Sequence, residues 1–322
     1  TNGGIAVNIV MALVTSLLTL RIVAPDRFAV VGLCMSLAMF GDYLINLGLS
    51  PVFGSEMAKK RGEKNMPGVK YYFIVMMMFQ SVSTAVLLLA LAAASGPVAG
   101  YLHTPVLYIL PVGVYLFFFS LRTFYLTFFN AFLLYFWQNF LDTAFNVLRF
   151  AFLVFIYFAR PGDVVLWILC SYPAALGVSV LAATAPMVAH AARQFRGVRA
   201  HGTPAMRRSL VMQVRVGVFQ YPLKSVVDLA PPWILKMFTS LDAVGIYYAT
   251  MQLIRAIYGF IRGMETTLLP LISQLHTEAL DKRRELMLRM SKYTLWLVLL
   301  FMLAAGLGIE YVILLLVKND YL

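Results

Sequence analysis

Apolar positions along the chain fall into long uninterrupted blocks separated by short links, and the blocks are of the length that a membrane crossing needs, about 20 residues at 1.5 Å each. About nine such blocks can be drawn: Ile5–Val23, Phe28–Met57, Val69–Ala94, Pro105–Phe128, Ala131–Ala159, Val164–Ala192, Arg207–Phe238, Asp242–Gln274 and Leu286–Val317. No charged link divides Pro105 from Ala159. A turn is placed near Asn130, because one helix of that length would overrun the bilayer. The blocks are continuously apolar rather than alternating, so they predict helices and not the strands of a barrel.

Within several blocks the polar residues recur every three, four or seven positions, which keeps them on one helix face. The second block offers Asp42, Asn46 and Ser50; the fifth Asn139, Asp142, Asn146 and Arg149; the seventh Gln213, Gln220, Lys224 and Asp228; the eighth Gln252, Arg255, Gly259, Arg262 and Thr266. A face of this kind is costly against lipid and belongs on the inside of a bundle or against water.

Composition agrees with the pattern: 61% of the 322 residues are hydrophobic and 12% are charged. The fold class is therefore an all-α polytopic membrane protein. A net charge of +12 would suggest nucleic acid in a soluble chain, but position changes that reading. Lys59, Lys60, Arg61, Lys64 and Lys70 follow the second block, Arg193 to Arg208 the sixth, and Lys282 to Arg289 the eighth. Alternate links such as "ASGPVAGYLHTP" and "TSLD" are nearly uncharged. The positive-inside rule puts the basic links and the amino terminus in the cytoplasm, with no nucleic-acid partner. Cys34 and Cys170 sit inside apolar blocks, and the four histidines form no ligand pair. Neither a disulfide framework nor a metal centre is predicted.

The chain also repeats itself. "VVGLCMSLAMFGDYLINLGLSPVFGSEM" from Val30 and "AVGIYYATMQLIRAIYGFIRGMETTLLP" from Ala243 share a pattern in which Gly32 matches Gly245. The stretches before them match too, each with one cation, Arg21 or Lys236, and so do the exits of the third and ninth blocks. An offset of six helices gives parallel repeats. The expected organisation is a first six-helix lobe over 1–195, a basic cytoplasmic linker over 196–206, and a partial second lobe of three helices over 207–322. The chain begins at Thr1, shows no secretory leader, and is expected to be continued by roughly three more helices.

The stretches "RIVAPDRFAVVGLCMSLAMFGDYLINLGLSPVFGSEMAKKRGEKN" and "FTSLDAVGIYYATMQLIRAIYGFIRGMETTLLPLISQLH" resemble the first and the later helix pair of polysaccharide-export proteins. These belong to the multidrug/oligosaccharidyl-lipid/polysaccharide exporter superfamily, which includes O-antigen flippases and multidrug antiporters. The resemblance implies two six-helix lobes around a central cavity, alternating access, and a location in the inner membrane. The chain departs from the pattern at Asn46, where family members often carry aspartate; its acid, Asp42, lies one turn earlier.

Together these readings predict a flippase, not an enzyme, that moves a lipid-linked oligosaccharide on an undecaprenyl or similar polyprenyl phosphate across the membrane. A polysaccharide polymerase is its expected partner. Arg255, Arg262, Lys224, Arg149, Arg21 and Lys236 are the candidate substrate-binding residues, since guanidinium and ammonium groups suit phosphate. The alternative is that the buried cations only pair with Asp42, Asp142, Asp228 and Glu265. No cofactor is expected beyond proton or sodium coupling, for which Asp42 and Asp228 are the candidates. Gly217, Pro222, Pro231 and Pro232 are the candidate hinge. A multidrug antiporter of the same superfamily is the runner-up. A membrane glycosyltransferase or polymerase is disfavoured, because the outer links are too short to present a catalytic domain and no nucleotide loop or nucleophile arrangement is found.

Overall fold

The computed structural model describes residues 2–252, with residues 254, 288, 291–292, 295–296 and 299 beyond them. Its described residues are helical apart from short links: α1 (Asn2–Ile22), α2 (Pro25–Asn46), α3 (Leu49–Gly62), α4 (Met66–Leu102), a 3-10 turn (Val106–Tyr108), α5 (Ile109–Ala131), α6 (Tyr135–Ala159), α7 (Val164–Phe195) and α8 (Pro204–Phe238). Residues 241–252 are helical again. Five segments are long and apolar enough to cross a membrane by length and composition: Pro25–Asn46, Met66–Leu102, Val106–Ala131, Tyr135–Ala159 and Val164–Phe195.

The second expected span, Phe28–Met57, is not one helix. It breaks at Leu47 and Gly48, which both take left-handed backbone, with φ of 42° and 67°. The Leu47 N–H closes α2 on the Tyr43 carbonyl at 2.9 Å. An unbroken rod of these 22 and 14 residues would reach about 54 Å against a hydrocarbon core of about 30 Å. The break lets α3, which ends in Lys59, Lys60 and Arg61, depart from the line of α2.

A second correction concerns "ASGPVAGYLHTP", expected as a link. Helix α4 continues through it to Leu102, with Pro97 inside. Its end is set by His103, which is left-handed at φ 53° and returns its N–H to the Ala99 and Gly100 carbonyls. Proline is tolerated there because its ring costs one hydrogen bond near a helix end, where other groups remain paired. The turn expected near Asn130 falls just beyond it, at residues 132–134, with Leu133 left-handed at φ 58°.

The basic links do structural work. Arg61 donates to the Ala131 carbonyl at 3.2 Å and lies over the Phe132 ring. Lys60 pairs with Glu63 at 2.7 Å, and that bond holds the Glu63 carboxyl below its usual range. Lys70 donates to the Val198 carbonyl at 2.7 Å, just beyond the end of α7. Beneath this basic end lies an aromatic core in which Phe73 meets Phe124, Phe128 and Phe195 at centroid distances of 5.1 to 5.5 Å. Such packing fixes the ends of α4, α5 and α7 relative to one another.

Candidate functional site

The polar stripe of α2 enters a closed chain of hydrogen bonds. Asn46 donates its amide to the Asp42 carboxylate and to the Asp42 carbonyl, and accepts from Ser50 at 3.0 Å, across the break into α3. Gln80 of α4 also donates to the Asn46 side-chain oxygen, at 3.1 Å, and to the Ser120 carbonyl of α5 at 2.9 Å. Thr84 donates to the Gln80 carbonyl and shares a bond with the Ser120 hydroxyl, each at 2.7 Å. Four helices are thus joined, through the buried side chains of Gln80, Thr84 and Ser120 and the half-buried ones of Asp42, Asn46 and Ser50. Gln80 and Thr84 stand one turn apart on α4, a spacing visible in "FQSVST". Ser120 carries no such signal.

The stripe of α6 is divided among three neighbours. Asp142 forms an ion pair with Arg122 of α5, Asn146 donates to Asn8 of α1 at 3.4 Å, and Arg149 reaches α7. The Arg149 guanidinium lies 3.8 Å from the centre of the Tyr172 ring and donates to the Tyr172 hydroxyl. Arg149 is 9% exposed, and its Nε has no partner among the described residues. Tyr115, edge-on to Tyr172 at 5.9 Å, lies in the fields of Arg122, Arg149 and Asp42. Sequence reasoning missed Arg122. It stands alone in the apolar run "LFFFSLRTFYLTFF" without a stripe around it, though a membrane-depth arginine is a signal by itself.

Helix α8 packs along α2 and closes a seam. Gly217 backs directly onto the Leu47 carbonyl, and the Tyr221 ring fills the space beside Gly48. Further along, the Tyr43 hydroxyl donates to Asp228 at 3.4 Å. The Trp233 indole donates to Ser36 at 2.7 Å and stacks on Tyr101 of α4, with centroids 5.8 Å apart. Lys236 donates to the Tyr101 carbonyl and sits 4.0 Å from its ring centre. A cavity of about 310 Å³ lies between α2, α4 and α8, with Leu37, Phe40, Val98, Ser225, Leu229 and Trp233 among its walls. Residues 241–252 join the same seam, with Tyr248 against Gly32 and Gly245 against the Pro25 carbonyl.

Of the predicted α8 face, Gln213 is half-buried and donates to Ser209, while Gln220, Lys224 and Asp228 are exposed. Among the described residues, Lys224 has neither an ion pair nor a hydrogen bond. Arg21 is exposed at the end of α1, away from these residues, and lines a different cavity. Helix α8 runs unbroken through Pro222, Pro231 and Pro232. Arg255 and Arg262 lie outside the described residues. The structure therefore brings Lys236 and Asp228 to the seam, places Arg149 between α6 and α7, and leaves Arg21 apart.

A family model described as polysaccharide biosynthesis protein matches residues 3–276. No curated protein matches the chain. A solved structure described as protein A superposes with a TM-score of 0.61 at 15% identity, over 98% of this chain and 72% of that one. At that identity the likeness shows the fold alone.

Proposed function

Because the chain belongs to the polysaccharide biosynthesis protein family, we propose that it is a flippase, carrying a lipid-linked oligosaccharide from the cytoplasmic to the outer leaflet of the inner membrane. The problem such a protein solves is physical: each sugar hydroxyl taken into hydrocarbon without a partner costs several kcal/mol. A polar path replaces those bonds while the lipid tail stays in the bilayer.

The observation that carries this reading is the polar face of α8. Lys224 is exposed in the middle of a 35-residue helix, without a partner among the described residues. Helix α8 is more polar than the five apolar spans, and a cation carried on it across the bilayer against lipid would cost about 2.5 to 3.5 kcal/mol even on lenient scales. A hydrated passage removes that cost, and Gln220 and Asp228 on the same face fit it. In this reading Lys224, with Arg255 and Arg262 of the following segment, receives the phosphate link. The seam between α2 and α8 opens and closes access, with Trp233–Ser36 and Tyr43–Asp228 as its latches. Asp228 and Asp42 are the coupling candidates.

The test is transport of a fluorescent lipid-linked oligosaccharide by the full-length protein in vesicles, with and without a proton or sodium gradient. The double substitution Arg255→Ala, Arg262→Ala should bring transport to background, and Lys224→Ala should lower it by about tenfold, the loss of one charge-assisted contact. Full transport in a well-inserted triple variant would overturn the reading.

A further inference from the structure

At the end of the bundle opposite the basic links, α1, α6 and the start of α7 enclose a cavity of about 460 Å³, lined by Arg21, Ile22, Ile156, Tyr157, Arg160 and Val164. Two arginines thus share one small cavity with a phenol and three aliphatic side chains. Both arginines are exposed, and two cations lining one cavity favour an anionic guest over a neutral one. Neither arginine has an acidic partner among the described residues, whose ion pairs are Lys60–Glu63 and Arg122–Asp142. The acid of the same link, Asp163, is already engaged: it accepts from the Tyr108 hydroxyl at 2.8 and 2.9 Å and from the Leu166 N–H at 3.1 Å. Asp26, in the first turn of α2, forms an ion pair with neither arginine.

The backbone adds a second observation. Arg160 caps α6 in the left-handed region at φ 45°, returning its N–H to Ile156 at 3.0 Å. Glycine is the ordinary residue there, and any other side chain is strained by about 1 kcal/mol. Leu47 and His103 end α2 and α4 in the same way, so what distinguishes position 160 is its charge and its place on the cavity wall. It also stands on the face where the positive-inside pattern depletes arginine. Topology therefore does not account for it.

We propose that Arg21 and Arg160 form a binding site for a phosphate group attached to a hydrocarbon chain, held at head-group depth on the face opposite the basic links. The two guanidiniums supply forked donors to the phosphate oxygens, Tyr157 supplies a hydroxyl, and Ile22, Ile156 and Val164 face the first carbons of the chain. This chemistry has two sources, an anionic phospholipid of that leaflet or a lipid-linked saccharide. The aliphatic wall separates both from free phosphate.

Native mass spectrometry of the full-length protein tests the site without measuring transport, so its outcome is independent of the flippase assay. The probes are phosphatidylglycerol, phosphatidylcholine, undecaprenyl diphosphate and inorganic diphosphate. Arg21→Gln with Arg160→Gly removes both charges while relieving the left-handed strain at position 160, so folding is retained. That variant should bind phosphatidylglycerol or undecaprenyl diphosphate about tenfold more weakly than the parent, with phosphatidylcholine unchanged. Loss confined to phosphatidylglycerol identifies a phospholipid site, and loss confined to undecaprenyl diphosphate identifies a substrate site. Unaltered binding of both lipids, or inorganic diphosphate bound as tightly as either, overturns the proposal.

Discussion

Two polar regions of this molecule lie within a few turns of each other and behave differently. Inside the first helices, Asp42, Asn46, Ser50, Gln80, Thr84 and Ser120 are interlocked, and Arg122 is paired with Asp142. Along α8, Gln220 and Lys224 are exposed, and Asp228 has one long bond to Tyr43. A satisfied network in a low-dielectric interior specifies which helices pack together. A polar face left open needs water. The first region thus reads as architecture and the second, under the function proposed above, would serve as the passage, although both carry the same residue types at the same spacing.

Substitutions can break that distinction. The largest stability loss should follow Arg122→Leu, which leaves Asp142 half-buried and unpaired and costs about 3 kcal/mol. Arg122→Leu with Asp142→Leu should restore most of it, read as the thermal unfolding midpoint in detergent. Gly217→Ala comes next: its methyl group would meet the Leu47 carbonyl. Forcing α8 from α2 should cost about 1 to 3 kcal/mol and slow transport. Gln80→Leu should cost about 1 kcal/mol for each hydrogen bond lost, without a specific effect on substrate affinity. Lys224→Ala should shift stability by no more than about 0.5 kcal/mol while reducing transport. A large destabilisation by Lys224→Ala would place it with the architecture and erase the comparison. Replacing Pro231 and Pro232 together by alanine should slow transport with insertion unchanged, if α8 bends during the cycle.

The stripe on α2 was legible because i, i+4 spacing makes Asp42, Asn46 and Ser50 neighbours before any tertiary contact exists. Its partners were not. Ser120 joins the network only when α5 packs on α4, and nothing local marks it. The helical class followed from block length alone, whereas the break at Leu47 did not, since leucine is an unusual residue for a left-handed position. The overrun of α4 was hidden by Gly96, Pro97 and Gly100, which punctuate water-exposed chains far more strongly than a helix end packed beside Trp233. Arg122 carries a signal of its own, a solitary charge in an apolar run, but its partner Asp142 lies on another helix and only packing reveals it.

The segment joining α7 to α8 carries Arg196 and Arg199 and contains no helix from 196 to 203, yet it is stitched down. The His201 N–H reaches the Pro67 carbonyl at 3.1 Å, Lys70 grips the Val198 carbonyl, and Gly202 lies flat against the Tyr71 ring. A protease must fit an extended strand of about eight residues into its cleft, so trypsin should nick this strap only after it lifts from the head of α4. Its cutting rate is then a clock for that detachment, ticking without any label on the protein.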